Sequence, residues 1–411
     1  MRLSVPSLVL ASQILLAPSA HAQLEEDRIG RRIVIEPDKL AAPRATPSVS
    51  NSPRTVSRPA GTSLNLPPGF RAQLFAERLS HARYLAVAPN GDVLLAESRA
   101  GKITLLRDAD GDGVAETRTT FAENLDTPHG LALRDGHVYV GEFTQVRRLP
   151  YRVGDTQAAG PPETVTAEGT LARSRGGHWT RNIVFTADGD GFFVSVDSRS
   201  NTQEEPEPHA TIQHFRADGS GQTTFAAGLR NAIGIALHPA TKALWAVVNE
   251  RDGLGDGLVP DYLAEVKQGE FFGWPYAYIG PHPDPDYGRR RPDLVARTKV
   301  PEVLFRSHSA PIGLAFYDGA MFPAEYRGDA FVTLQGSWNA ARPTGYKVVR
   351  VRFRDGRPVG DYENFATGFR LTGTSTAIVW GRPSGVAVAR DGALLVADDT
   401  GNTVWRISYG G

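Results

Sequence analysis

The chain has 411 residues, 41% hydrophobic and 22% charged, with 43 glycines and 29 prolines, a make-up that fits many short strands punctuated by turns rather than long helices. Lysine and arginine together number 45, as do aspartate and glutamate, so no global basic field exists to draw nucleic acid and nothing marks a membrane-surface partner. Cysteine is absent, which excludes disulfides, C-x-x-C-H haem attachment, iron–sulfur ligation and a lipidated N-terminal cysteine.

Residues 1–22 read as an export signal: Arg2 supplies the positive start, the stretch from Val5 to Leu16 is largely apolar, and Ala20-His21-Ala22 places small residues at the cleavage positions. The apolar run is too short to span a bilayer and no later one approaches 18 residues, so the mature protein is expected in the periplasm or the medium, without membrane insertion. Residues 23–66 are rich in Pro, Arg, Ser and Thr and lack apolar periodicity, which predicts a flexible leader.

From residue 67 to 411 a short phrase returns six times: an apolar stretch, a tight turn, then a β-rich stretch that often ends in a small or acidic residue. The copies begin at Leu85, Gly130, Ile183, Ile233, Ile312 and Gly385. Each predicts two short strands joined by a turn of the kind Gly and Asn favour. No copy can bury its apolar face alone. A period of about 57 residues over 69–411 therefore predicts an all-β, six-bladed β-propeller of four-stranded antiparallel sheets. The strand from Gly69 to Ala76 is expected to complete the last blade beside the strand ending at Ile407, closing the ring and removing its exposed edges.

The densest polar constellation is Arg175-Gly-Gly-His178-Trp-Thr-Arg181-Asn182, just before the third repeat. The two glycines let the backbone approach a ligand, and Arg181 and Asn182 supply donors. Asp197 ends the same hairpin, and a carboxylate that holds a histidine in one tautomer makes it a general base. The alternative is a surface-loop His178 and a strand-end Asp197 that never meet.

A series of motifs follows in order: Arg175-Gly-Gly-His-x-x-Arg, Gly228-Leu-Arg-Asn231 before Ile233-Gly-Ile-Ala, Gly273-Trp-Pro275, His308-Ser-Ala-Pro-Ile-Gly-Leu314, Gly336-Ser-Trp-Asn339 and Gly381-Arg-Pro-Ser-Gly385. Together they resemble the glucose/sorbosone dehydrogenase family, soluble quinoprotein sugar dehydrogenases that carry pyrroloquinoline quinone (PQQ) in a six-bladed propeller, and in particular its L-sorbosone dehydrogenase-like branch. The resemblance spans essentially 67–411. It implies that His178 removes the sugar hydroxyl proton as hydride leaves C1 for the quinone, that Asp197 orients His178, and that Arg230 of the Arg230-Asn231 pair stabilises charge on the quinone. Asn231, Arg181 and Arg382 are the implied donors to a cofactor with three carboxylates. The segment that holds a cofactor-binding Lys in glucose-oxidising members reads Thr333-Leu-Gln-Gly-Ser-Trp-Asn339 here, which leaves Gln335 or Trp338 in its place.

The resemblance also implies Ca²⁺ beside the cofactor. The matching stretch holds Glu250 and Arg251, followed by Asp261, with Arg251-Asp252 where the family has Gly-Pro. A second candidate Ca²⁺ loop, of structural type, is Asp108, Asp110, Asp112 and Glu116; its other reading is a solvated hairpin tip. Three functions stay open at this point. One is a sugar or aldehyde dehydrogenase that passes electrons to a separate cytochrome or quinone. Another is a Ca²⁺-dependent propeller lactonase using Glu97, Glu142, Asp197, Asn249 and Asp398, and the last is a non-catalytic ligand-binding propeller.

Overall fold

The computed structural model describes residues 24–410. The predicted export signal, 1–22, lies outside them. Among the described residues no helix is long and apolar enough to cross a membrane.

Six antiparallel sheets follow one another along the chain, each with its strands in sequence order. Blade one contains Ala82–Val87, Val93–Glu97, Lys102–Arg107 and Thr117–Ala122. Blades two to five span 131–164, 183–227, 232–304 and 311–366. Blade six takes three strands from 383–409 and its fourth, Phe70–Ala76, from the start of the repeat region, pairing Phe70 with Tyr409 and Ala76 with Val404. The ring closes as the sequence predicts. The Phe70 ring anchors this closing strand, lying 4.8 Å from Phe322, 5.2 Å from Tyr326 and 5.1 Å from Phe365.

The first strands of the six blades pack against one another around the axis, each beside the next and the sixth beside the first. The recurring glycine of the repeat explains how closely. A Cβ at Gly130 would lie 2.6 Å from Asn182 Cα, one at Gly234 2.6 Å from Ile312 O, one at Gly313 2.5 Å from Ser384 O, and one at Gly385 2.5 Å from Arg83 O. Each glycine is thus the point where one inner strand touches the backbone of the next blade, and any side chain would push the blades apart. Between blades the facing side chains of the first three strands supply the core. Trp245, Val247 and Leu263 of blade four, for example, interleave with Leu314, Phe316, Val332 and Val349 of blade five. Burial of each such side chain contributes roughly 1.5–3 kcal/mol.

The expectation of a flexible leader, 23–66, is corrected for the described part, 24–66. Arg32–Ile33 adds a fifth strand to blade five, and Arg54–Thr55 pairs in parallel with Ile378–Val379. Asp27 is buried and accepts from Lys347 Nζ at 2.6 Å and from Arg370 Nη2 at 2.6 Å. The segment has too few apolar residues to form a core of its own. It is ordered by borrowed partners: backbone groups and ion pairs on blades it meets only in the folded state.

Candidate active site

The loops that connect the second and third strands, and those that lead into each blade, gather at one end of the axis around a cavity of about 980 Å³. This is the range of small-molecule and cofactor pockets. At or just beyond the end of its second strand each blade carries a polar residue, Glu97, Glu142, Asp197, Glu250, Gln335 or Asp398, of which Glu250 and Gln335 line the cavity. Most of these anchor loops rather than face a ligand. Glu97 accepts from Ser80 N and Thr104 Oγ1, Glu142 from Asp126 N at 3.0 Å and Arg147 Nη2 at 2.5 Å, and Asp398 from Arg382 N and Gly401 N, both at 2.8 Å.

His178 lines the cavity. Its Nδ1 lies 2.8 Å from the carbonyl oxygen of Ser198 and 3.1 Å from Ser198 Oγ, whose own proton goes to Ser200 O at 2.8 Å. Both neighbours act as acceptors, so Nδ1 carries the hydrogen and Nε2 keeps its lone pair on the cavity side. Burial, assisted by the Arg230 charge, lowers the imidazole pKa to about 4, so the ring is neutral at pH 7.

The expectation that Asp197 orients His178 is therefore corrected. The Asp197 carboxylate points beneath the cavity floor, where it accepts from Thr180 Oγ1 and, with the Asn231 amide nitrogen turned toward it, from Asn231 at 2.7 and 2.8 Å. Burial raises its pKa to about 6. It holds two cavity-lining residues, Thr180 and Asn231, in place.

Arg230 also lines the cavity and is 5% exposed. It donates through Nη1 to Glu250 O at 2.9 Å and Asn249 O at 3.3 Å, and through Nη2 to Asn201 Oδ1 at 3.1 Å. Arg382 stands on the wall formed by blades five and six, donating to Gly336 O at 2.6 Å and Gln335 O at 3.1 Å, with further N–H groups to spare. Gln335, at the same wall, donates to Asp399, and Trp338 presents a half-exposed indole at the rim. Arg181 is not among them. It is fully buried, bonded to Thr180 O at 2.7 Å and stacked on Phe143, so it stiffens the His178 loop from behind.

The structure adds residues that the sequence reading did not single out. Arg83 is 5% exposed, lines the cavity, bonds Asp399 Oδ2 at 2.5 Å, and has its Nε unpartnered. Its guanidinium lies 5.1 Å from the Trp179 ring centroid, and His81 beside it leaves Nδ1 unpartnered. An alternating strand sequence, Ala82-Arg83-Tyr84, offers no signal for such a role.

The metal expectations divide. Glu250 and Asp261 line the cavity, with pKa values raised by burial to about 7 and about 6, but Arg251 turns away to pair with Asp284. Among the described residues, the one group of three or more His, Asp or Glu side chains able to share an ion is Asp108, Asp110, Asp112 and Glu116, with ligand atoms within 4.8 Å of one another. That loop joins the third and fourth strands of blade one, on the face opposite the cavity.

The TrAA12-like family profile matches residues 64–259 and 293–410. The chain belongs to this family. The TrAA12-like chain is similar in fold to the calcium structure of the Trichoderma reesei carbohydrate-active enzyme of family AA12, with a TM-score of 0.72 at 19% identity, covering 86% of this chain and 98% of that one. It is likewise similar to the holo form of the pyranose dehydrogenase PQQ domain from Coprinopsis cinerea, with a TM-score of 0.70 at 19% identity, covering 87% and 100%. In sequence it is 24% identical over 293 residues to the aldose sugar dehydrogenase YliI of Escherichia coli, spanning 62% of this chain and 76% of that protein.

Proposed function

We propose that the chain is an exported quinoprotein dehydrogenase that oxidises an aldose or a sugar-derived aldehyde, with PQQ held non-covalently in the cavity and electrons passed on to a separate acceptor. The observation that carries this reading is one cavity that combines a neutral His178, its Nε2 free, with Arg83, Arg230 and Arg382. The donor set fits an acceptor-only cofactor bearing three carboxylates, and the unpartnered buried Nε of Arg83 is a donor awaiting such a group. When bound, PQQ supplies a two-electron hydride acceptor.

Arg382 and Arg83 would hold carboxylates on the wall of blades five, six and one, and Arg230 would face charge that develops during the reaction. His178 Nε2 takes the substrate hydroxyl proton, and Ser198 stabilises the resulting imidazolium through the Nδ1–H bond. The Arg230 charge disfavours that imidazolium, which favours release of the proton to solvent water and resets the base. Asn231 and Thr180 stay fixed through Asp197.

Side chains around Glu250 do not assemble a calcium site, and Arg230 already engages the carbonyls of Asn249 and Glu250, so no step is assigned to calcium there. The Asp108 loop, with four hard oxygen donors, is proposed to take a structural Ca²⁺. A lactonase reading is less well supported because Glu97, Glu142, Asp197 and Asp398 anchor loops, and Asn249 alone of its five residues lines the cavity.

The test is addition of PQQ to the mature protein, followed by absorbance of the reduced cofactor with a panel of aldoses. Aldose-dependent reduction is expected. Failure to bind PQQ, or lactone hydrolysis without it, would overturn the reading.

A further inference from the structure

The segment 44–51 meets three loops at once, and apart from the Arg44–Asp286 ion pair and the Thr376 hydroxyl its hydrogen bonds are to backbone. Arg44 N donates to Leu254 O at 2.6 Å, Thr46 Oγ1 accepts from Asp256 N at 2.9 Å, and Ser48 Oγ accepts from Gly255 N at 3.1 Å. A Cβ at Gly255, φ +111°, would lie 2.7 Å from Thr46 O, so the blade-four loop is shaped to admit the strap. Asn51 then bridges blade five and the short hairpin 370–379 that precedes blade six. Its N–H donates to Trp338 O at 2.6 Å, its Nδ2 to Ala340 O at 2.8 Å and Ser375 O at 2.6 Å, and its Oδ1 accepts from Thr376 Oγ1 at 3.0 Å.

Those loops carry cavity residues. Trp338 and Asn339 follow the second strand of blade five, Asp252 follows that of blade four, and Asn339 Nδ2 donates to Asp252 Oδ1 at 2.7 Å across the gap. A second cross-link, Ala341 N to Asp256 Oδ1 at 2.5 Å, joins the same two loops next to the strap. Trp338 is 49% exposed, so packing alone does not fix its indole. Its backbone is held through Asn51, every polar atom of whose side chain is engaged.

We propose that Asn51 is a positioning residue for the substrate: by tying the loop 338–341 to the loop at 375–376, it sets where the Trp338 indole and Asn339 present themselves to a sugar at the cavity mouth. The proposal rests on the dehydrogenase reading for the identity of the ligand, but not for the hold on the loop. The N-terminal strap is then a specificity element, and the hydrogen bonds of Asn51 itself run to the loops at 338–340 and 375–376, not to His178 or Arg230.

Asn51→Asp keeps the side chain's size and its acceptor but removes both Nδ2 donors, leaving carboxylate oxygen against two carbonyls. Expected are faster hydrogen–deuterium exchange over 336–342, measured on the full chain, and a KM for the preferred aldose raised by about tenfold with kcat within about twofold, the scale of one or two lost hydrogen bonds. Asp27→Asn loosens the strap at its far anchor with Arg370 and Lys347, and is expected to lower Tm without changing KM. Unchanged exchange over 336–342 in Asn51→Asp would overturn the proposal. So would an equal rise of KM in Asp27→Asn, which would mark a general loss of stability. If the wild type oxidises no aldose, the dehydrogenase reading fails by itself and the exchange result still decides whether Asn51 holds the loop.

Discussion

The ring of His178 is oriented by the carbonyl oxygen of Ser198, 2.8 Å from Nδ1, and by no carboxylate. A carbonyl fixes the tautomer without adding negative charge beside the ring, so the imidazole stays weakly basic and unprotonated at rest. Replacing His178 by Gln removes the basic nitrogen. Turnover should fall by roughly 10²–10⁴, the usual worth of a positioned base, while PQQ affinity measured by fluorescence titration stays near wild type.

The pH profile follows from the lowered pKa of about 4. Since the neutral ring is the active form, protonation of His178 should depress kcat/KM only below about pH 5; Glu250 and Asp261, at about 7 and about 6, titrate in the cavity above that, but no inflection near 6.5 should belong to His178. The same depression bears on stability. On acidification the unfolded chain takes up this proton first, so the contribution of His178 is lost as pH falls from 6.5 through about 4. An inflection near 6.5 in the kcat/KM profile, assigned to His178 by its loss in the Gln variant, would contradict this assignment.

Asp197 runs in the opposite sense. Its folded pKa is raised from 3.8 to about 6, so the native state binds the proton more tightly and loses stability as pH rises through that window. In Asp197→Asn that slope should vanish: the Tm of the wild type relative to the variant falls between about pH 4 and pH 6 and levels off above. Turnover should fall less than in His178→Gln, because the carboxylate acts through Thr180 and Asn231.

Arg382→Gln should weaken PQQ binding by about 10- to 100-fold, the worth of a charge-assisted hydrogen bond, as read by equilibrium titration of the apoprotein. Saturating cofactor should restore most of kcat. Normal affinity in this variant would remove Arg382 from the cofactor site.

Calcium should raise Tm in the wild type, and Asp110→Asn together with Asp112→Asn should abolish that rise without changing kcat, since the acidic loop lies on the face away from the cavity. A calcium-dependent Tm that survives both substitutions would place the ion elsewhere.

Much of the fold was legible because a propeller writes its geometry locally. The period-2 alternation and the turn residues recur along the repeats, the glycine of the inner strand recurs in four of them, and each repeat states the same demand for a neighbour. The His178 loop and the Arg230-Asn231 pair were legible for a similar reason: their unusual polar residues stand directly before predicted inner strands. The apolar patterning says nothing of Arg83, which looks like any outward residue of an alternating strand until ring closure brings Asp399 and Trp179 beside it.

By itself, the sequence determined the six blades, the closing strand at Phe70–Ala76 and the polar loops that line the cavity. Tertiary structure alone decided which of two consecutive residues orients the His178 ring. Asp197 and Ser198 leave the strand end in different directions, one carboxylate running under the floor and one carbonyl turning to the ring, and spacing along a chain does not separate a side chain from a main-chain group. It also decided the strap. Residues 24–66 lack an apolar pattern because their order comes from hydrogen bonds and ion pairs to partners such as Arg370, 343 positions from Asp27, and contacts of that range leave no periodic trace in the segment that makes them.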